Sequence, residues 1–550
     1  MLQPLESTTE TVPLAIQTGD SQSEILVLDS KGRLLIRGFG PDCTFRLEPG
    51  IYRVKVLTGT ASQDKTVALT APRTLHFEPI HFASAAPLAG TSTSHEYHMQ
   101  AADQESRKVH VTDGAGSSLF FLVRNWTAPG SQAQPRVTNN PAEGLSLYAA
   151  GPEIERKICD LVSAGATNST GDSWTACTVA VNPGVYELQL VLPSGEILRK
   201  PVVASGGWQT QSFLFVRLYV GPEGPEWRAD LARTSVLLAG VEGGFDPNEA
   251  ILRAAELARQ RLARRTLDEP GDNTVRPLLP EDMRNLLRGK FDNPMLGIYA
   301  AHLMLLERSL DLALFRDVVG NLRSMLLEHP DVEALALYGQ FTSAPGVFKN
   351  PPMLSRSWFL ITEASVDHPD LVSDWLAQRS VGNVLTQGAW HVLRAEQLSD
   401  TDAVDVPMPS TYQLRQAMDT SRASPEDSLA VGVGEEEGAA ETITPSEPYP
   451  MQTISQPGMP ARNLHLTEIE SAVAEALGIA KRIRWSEMQG TQTAQQGTAE
   501  NIEEDMDPAR LRGVATRFGI PAPQLKGVLS GLERKLNSNS SVPNLSVKYK

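Results

Sequence analysis

The strongest constraint on the fold is a fourteen-residue pattern that the chain spells twice. The first copy is Cys43-Thr-Phe-Arg-Leu-Glu-Pro-Gly-Ile-Tyr-Arg-Val-Lys-Val56, the second Cys177-Thr-Val-Ala-Val-Asn-Pro-Gly-Val-Tyr-Glu-Leu-Gln-Leu190. Cys, Thr, Pro, Gly and Tyr keep their spacing and apolar residues recur between them, as expected of a duplicated structural unit. Tyr52, Val54 and Val56 in one copy, and Tyr186, Leu188 and Leu190 in the other, show the period of two of a half-buried strand. Pro49-Gly50 and Pro183-Gly184 suit the centre of a type II turn: proline presets φ at one position and glycine accepts a positive φ at the next. Each copy therefore reads as a strand, a turn and an amphipathic return strand, which is an architectural signal rather than a catalytic one.

An apolar residue, a spacer, Pro-Gly, one residue, Tyr and then alternating apolars is a pattern that resembles the carboxypeptidase regulatory-like and transthyretin-like β-sandwich domains. The resemblance covers residues 20–80 and 115–218. It implies two small sandwiches used as rigid spacers or binding modules, and it assigns no activity. On this reading residues 1–19 are a polar lead-in, 20–107 a first sandwich with its linker, and 108–230 a second sandwich. Strand runs begin at Glu24, Arg33, Thr66 and Leu75 in the first, and at Ser118, Leu145 and Phe213 in the second. Residues 83–107 are small and polar and read as a linking loop. His76, His81, His95 and His98 fall in or near it; His95-Glu-Tyr-His98 lacks further ligands at metal spacing, so surface histidines are expected. The three cysteines, Cys43, Cys159 and Cys177, make no disulfide framework and no Cys-x-x-Cys pair. Cys43 and Cys177 are expected as buried core thiols.

Near Gly240 the period changes from two to 3.6 and a helical bundle is expected over 240–398. Asp246-Pro-Asn-Glu249 has the composition of a helix start, with Pro247 at the first turn and Glu249 three residues after the cap. The helix from Ala250 to Arg265 carries Arg259, Arg261, Arg264 and Arg265; near its C-terminus these interact favourably with the helix dipole. Asn293-Pro294 caps an apolar helix through Arg308 that contains His302, expected as a satisfied core histidine. Leu310–His329 and Val332–Tyr338 continue the bundle. Phe291-Asp-Asn-Pro-Met-Leu-Gly-Ile-Tyr-Ala-Ala-His302 and Pro351-Pro-Met-Leu-Ser-Arg-Ser-Trp358 resemble helical regions that accompany caspase-like proteases and multidomain defence proteins of prokaryotes. The protease's own cysteine-histidine constellation is not among these residues.

From Ser399 to Arg462 the chain turns to Pro, Ser, Thr, Gly and acid. This stretch carries eleven acidic residues against three arginines, half of the chain's net charge of -16. Such a composition buries too little apolar area to offset its ordering entropy, so a disordered acidic tether is expected over 399–462. Short helical segments follow in 463–550. Within 507–536 a helix bearing Leu511, Val514 and Phe518 precedes one bearing Leu525, Val528, Leu529 and Leu532. The pair looks like the reading helices of LysR-type winged-helix regulators, yet Gly527, Ser530 and Gly531 offer little to a base edge. Those seven apolar residues read more simply as a partner-docking stripe.

The fold class expected is therefore multidomain α+β: two tandem β-sandwiches, a helical bundle, an acidic tether and C-terminal helices. The sequence contains no Gly-x-Ser-x-Gly elbow, no His-Glu-x-x-His and no phosphate loop ending Gly-Lys-Ser/Thr. No catalytic residue, cofactor or metal is expected. The acidic pI, near 5.2, disfavours a general polyanion binder. No leader and no membrane-spanning run is read, and a cytoplasmic protein is expected. The function expected is a non-enzymatic scaffold or adaptor for protein partners, with the prokaryotic protease-linked or defence setting that the second resemblance implies. The alternatives are a DNA-binding regulator acting through 507–536 and an enzyme with an unfamiliar site. Pro49, Gly50, Tyr52, Pro183, Gly184 and Tyr186 are the residues expected to hold the architecture.

Overall fold

A strand opens the fold where the sequence reads as a polar lead-in. Val12–Gln17 (β1) buries Leu14 and Ile16, and it sits between two later segments rather than beside its neighbour in sequence. Its partners are Asp42–Leu47 (β4), antiparallel, and Arg73–His76 (β7), parallel. A second sheet has the order Leu34–Phe39 (β3), Glu24–Leu28 (β2), Gly50–Thr58 (β5), Ala61–Leu69 (β6). Leu14, Ile16 and Leu75 from one sheet meet Val27, Tyr52, Val54, Val56 and Val67 from the other in one core. The structure, a computed structural model, describes residues 11–126, 140–151, 156–168, 173–222, 224–267, 278–289, 291–307, 309–339, 346–380, 384–385 and 388–395, with 525 and 527–530. The expected tether, 399–462, lies outside the described residues.

The duplication seen in fourteen residues extends to a whole strand topology. After a helix at Glu96–Ser106 (α1) and a short strand at Val111–Thr112 (β8) come Ser117–Arg124 (β9), Leu145–Ala149 (β10) and Arg156–Asp160 (β11). A turn of helix at Leu161–Ala164 (α2) leads to Ala166–Asn168 (β12), Trp174–Val181 (β13), Gly184–Val191 (β14), Ile197–Ala204 (β15) and Trp208–Gly221 (β16). Like β1, β9 takes one antiparallel partner, β13, and one parallel partner, β16. Like β2, β10 lies between two antiparallel strands, β11 and β14, with β15 beyond.

The matching tyrosines do the same work in both copies. Tyr52 and Tyr186 are 8% and 6% exposed. Each phenol donates to the carbonyl four residues upstream, Tyr52 to Glu48 at 2.7 Å and Tyr186 to Asn182 at 2.9 Å. The bond spans the Pro-Gly pair, in the manner of a tyrosine corner. The type II turn, however, does not form. Gly50 and Gly184 are absent from the glycines with positive φ and are instead the first residues of β5 and β14. The reason is topological: β4 and β5 lie in different sheets of the first unit, and β13 and β14 in different sheets of the second, so Pro-Gly marks a crossing between sheets, not a hairpin.

Residues 83–107 are not a surface loop. Ala85, Ala86 and Leu88 join the core, and α1 buries His98, Ala101, Ala102, Glu105 and Ser106. The loop ahead of α1 is held by Arg124, fully buried, which donates to the carbonyls of Ser84 (2.9 Å), Ala85 (2.9 Å) and Thr93 (2.6 Å). A guanidinium left unpaired in such surroundings would be costly; three carbonyl acceptors satisfy it. His98, expected at the surface, lies against it at 3.3 Å, whereas His76, His81 and His95 are exposed.

Strands continue past the second unit. Gly224–Ala229 (β17) and Ser235–Gly240 (β18) both pair with β16. The helices are Ala250–Leu267 (α3), Glu281–Arg288 (α4), Pro294–Leu305 (α5), Leu312–Met325 (α6), Pro330–Gly339 (α7), Ser355–Ala364 (α8) and Asp374–Ser380 (α9). The chain then returns to the sheet: Val384–Leu385 (β19) pairs with Val392–Ala395 (β20), which pairs with β15. One continuous core joins strands β9, β10, β13 and β14 to α3, α5, α6 and α7. Helix α5 is buried from Pro294 to Met304 and capped by Asn293, which accepts from the Leu296 amide at 3.0 Å. Asp246 does not cap α3; its carboxylate accepts from Asn248 at 2.9 Å in a turn upstream, and the helix starts at Ala250.

The arginines of α3 have a different use from the one expected. Arg253 pairs with Asp20 (3.3 Å), Arg261 donates to the Gln22 carbonyl and lies over the Phe39 ring, and Arg264 pairs with Glu24 (2.9 Å). Glu24, 2% exposed, also takes Arg37 at 2.9 Å. Arg259 turns inward to Glu256, which is 0% exposed. The basic face thus clamps the first two-sheet unit onto the helix, and helix-dipole compensation is secondary. The Arg265 side chain lies outside the described residues. No helix among the described residues is long and apolar enough to cross a membrane.

Candidate functional site

The second Pro-Gly crossing forms one wall of a cleft of about 610 Å³. Pro183, Gly184 and Val185 enter β14 there, and Val203, Ala204 and Ser205 leave β15 beside them, because Gly184 pairs with Ala204 and Val185 with Val203. The opposite wall comes from the α6–α7 turn, from α7, and from residues 346–350.

Local sequence explains how the opposite wall is held. Helix α6 ends at Met325, four residues before the expected stop, and Glu328 takes φ 56. A left-handed conformation is uncommon for a residue with a side chain. It closes the turn and leaves Leu327 80% exposed at the cleft. His329, buried, accepts from the Asp331 amide at 3.2 Å and so starts α7. The Asp331 carboxylate, 0% exposed, receives the amides of Met353 and Leu354, each at 2.9 Å. Residues 346–350 are fixed by Phe348, whose amide donates to Leu371 at 2.7 Å and whose ring is buried. Its neighbour Val347 is 50% exposed and lines the cleft.

The chemistry of the cleft is that of recognition. Pro183, Val185, Val203, Ala204, Pro330 and Leu337 give apolar surface, and the rim carries Arg323, Glu328, Glu333 and Lys349. Arg323 and Glu333 form a two-pronged pair at 2.9 and 3.1 Å. The Ser205 hydroxyl, in a residue 3% exposed, makes no hydrogen bond among the described residues. A buried hydroxyl without a partner is a place where an incoming donor or acceptor gains.

Behind the cleft lies a buried polar layer that is closed to solvent. Lys200, 0% exposed, holds Nζ 4.1 Å from the centre of the Trp390 ring and makes no hydrogen bond among the described residues. Burial pushes its ammonium down to about 7, against the pull of the Asp331 carboxylate. His302 Nε2 lies 2.9 Å from the Ser357 hydroxyl, the spacing of a base and a nucleophile. Burial pushes His302 down to about 3, and the two residues are 1% and 0% exposed and line neither this cleft nor the smaller one between Gly38–Pro41 and Leu279–Asp282. The pair is packed in the core, with His302 Nε2 and the Ser357 hydroxyl satisfying one another.

Of the residues singled out in the sequence, Pro183 and Gly184 line the cleft. Tyr186 stands behind it, and Pro49, Gly50 and Tyr52 hold the equivalent corner of the first unit. In the C-terminal stripe Leu525 and Leu529 are buried and Val528 is half-buried. Leu511, Val514, Phe518 and Leu532 lie outside the described residues. Among the described residues no group of three or more His, Cys, Asp or Glu is placed to hold a metal ion. Leu327 and Val347 carry no sequence signal: Leu327 reads as one more apolar residue in a helical period. No protein-family model matches the chain, and no curated protein matches it.

Proposed function

We propose that this chain is a non-enzymatic scaffold or adaptor: two tandem β-sandwiches and a helical bundle form a rigid platform, and the acidic stretch 399–462 tethers a C-terminal helical module to it. The observation that carries the reading is the cleft at the second Pro-Gly crossing. A single exposed leucine is ordinary. Leu327 and Val347, both exposed and both lining one apolar concavity beside an unpaired buried hydroxyl, are the makings of a binding surface. Its volume falls in the ~300–1,000 Å³ range typical of ligand sites. Mixed charge on the rim suits a polypeptide better than a polyanion, and the net charge of -16 works against nucleic acid. Cytoplasmic location and a prokaryotic protease-linked or defence assembly belong to the same proposal and rest on sequence resemblance and cysteine usage.

Burial of Leu525 and Leu529 supports a refinement of the docking role expected for 507–536. Part of that apolar stripe is covered within the free chain, so a partner that uses it must displace what covers it. Tethering keeps such a module at raised effective concentration near the platform.

The test is quantitative affinity isolation with the full chain, comparing the wild type with a Leu327→Glu, Val347→Glu double variant and with a chain lacking 507–536. Proteins held by the wild type and lost from the double variant support docking in the cleft. Identical recovery by all three refutes it. Loss confined to the deletion moves docking to the C-terminal module, and submicromolar, salt-sensitive binding of duplex DNA by the full chain favours the regulator reading.

A further inference from the structure

Two of the three cysteines come together in the second two-sheet unit. Cys159 is in β11, an edge strand, opposite Leu147 of β10. Cys177 is in β13 of the facing sheet, opposite Phe121, and is 1% exposed. Between them the chain passes from one sheet to the other in five residues, 161–165, and Ala166 then pairs with Ala176, the residue before Cys177. The crossing is pressed against β13: a Cβ on Gly165 would stand 2.8 Å from the Ala176 carbonyl. Cys177 belongs to the inter-sheet core, and Cys159 packs against it. The two side chains lie within reach of one another, and each thiol perturbs the other's ionisation.

We infer that Cys159 and Cys177 are an oxidisable dithiol, which a hydroperoxide converts into an intramolecular disulfide tying the two sheets together. Contact between the thiols lowers Cys159 and raises Cys177, in keeping with Cys159 as the attacking sulfur. Lys157 supports its thiolate, while burial and the carboxylates Asp160 and Asp113 oppose it. Cys159 is also the partly exposed member, on a sheet edge a peroxide can approach. Its thiolate attacks one peroxide oxygen: an S–O bond forms, the O–O bond breaks, and the leaving alkoxide or hydroxide takes up a proton as alcohol or water. Cys177 then attacks the Cys159 sulfur of the sulfenic acid. The S–S bond forms, the S–O bond breaks, and the departing hydroxide takes the Cys177 proton to leave as water. In sum two thiols and one hydroperoxide give one disulfide, one alcohol or water, and one water. Cys43 provides the internal contrast: its thiol donates to the Phe39 carbonyl at 2.7 Å, and burial pushes it up, so it stays protonated.

The experiment treats the reduced full-length protein with stoichiometric hydrogen peroxide, alkylates the remaining thiols under denaturing conditions, and maps peptides without reduction. The expected result is one cross-linked peptide pair joining Cys159 to Cys177, a mass lower by two hydrogens, and Cys43 fully alkylated. In C177S, dimedone should trap a sulfenic acid on Cys159; in C159S, Cys177 should remain alkylatable. Full alkylation of both thiols in the treated wild type, a bridge that includes Cys43, or dimedone on Cys43 rather than Cys159 overturns the inference.

Discussion

Replacing Lys200 by methionine should make the protein more stable at neutral pH, although it removes a charge that sits on a tryptophan. Lys200 is 0% exposed, its Nζ faces the Trp390 ring at 4.1 Å, and burial lowers it from 10.5 to about 7. Between those two values the unfolded chain holds a proton that the folded chain releases. Stability therefore rises with pH across that window and is lost as pH falls toward 7. The whole drop corresponds to about 5 kcal/mol at 1.36 kcal/mol per pH unit. Attraction of the ammonium to the indole offsets about 1–2 kcal/mol of this. Methionine has similar length and no proton to lose, so a net gain of about 3 kcal/mol is expected at pH 7.5. Urea unfolding followed by tryptophan fluorescence reads the change, because Trp390 lies at the site. The gain should shrink by about 1.4 kcal/mol per pH unit as pH rises toward 10.5. A destabilised variant, or a gain that does not vary with pH, would refute the reasoning.

Three further outcomes follow from the buried polar groups of the same fold. Tyr52→Phe and Tyr186→Phe should each cost about 1 kcal/mol, the worth of one hydrogen bond across the crossing, and Tyr186→Ala about 3 kcal/mol or more, measured by thermal unfolding. Glu24→Ala leaves Arg37 buried without its carboxylate and releases Arg264, so a loss of about 3 kcal/mol is expected, with earlier proteolysis between the first unit and α3. His302 and His391 are both fully buried and pushed down to about 3. Below pH 6.5 the unfolded chain takes up protons that the folded chain refuses. Stability should thus fall by about 2 kcal/mol per histidine between pH 6.5 and 5, and His391→Leu should flatten that slope in a urea series.

The parts of the fold that were legible in the sequence are those whose cause is local. The repeated tyrosine is recognisable because its corner is built within a few residues, and Asn293-Pro294 announces α5 by the same kind of short-range chemistry. The pairing of β1 with β4 and β7, or of β20 with β15, depends on partners tens to hundreds of residues away, which periodicity does not report. Helix α1 escaped for a subtler reason. Its buried positions, His98, Ala101, Ala102, Glu105 and Ser106, follow the helical period, but they are small or polar, so no apolar stripe marks them. The α3 arginines show the converse: a basic face resembles solvated surface until Asp20 and Glu24 come to meet it. The cleft has no local signature, since its walls are a sheet crossing and a helix turn more than a hundred residues apart.

The central claim, that the cleft at the second Pro-Gly crossing receives a polypeptide, is tested most directly by peptide selection. Random peptides displayed on phage are selected on the immobilised full-length protein, and the enriched peptides are measured by fluorescence anisotropy against wild type and the Leu327→Glu, Val347→Glu double variant. The account predicts enrichment of peptides with apolar anchors, whose binding falls at least tenfold on the variant while the unfolding free energy of the protein in urea stays within about 0.5 kcal/mol, as expected for exposed sites. Peptides that bind both proteins equally, or no enrichment over an unrelated protein, would contradict it.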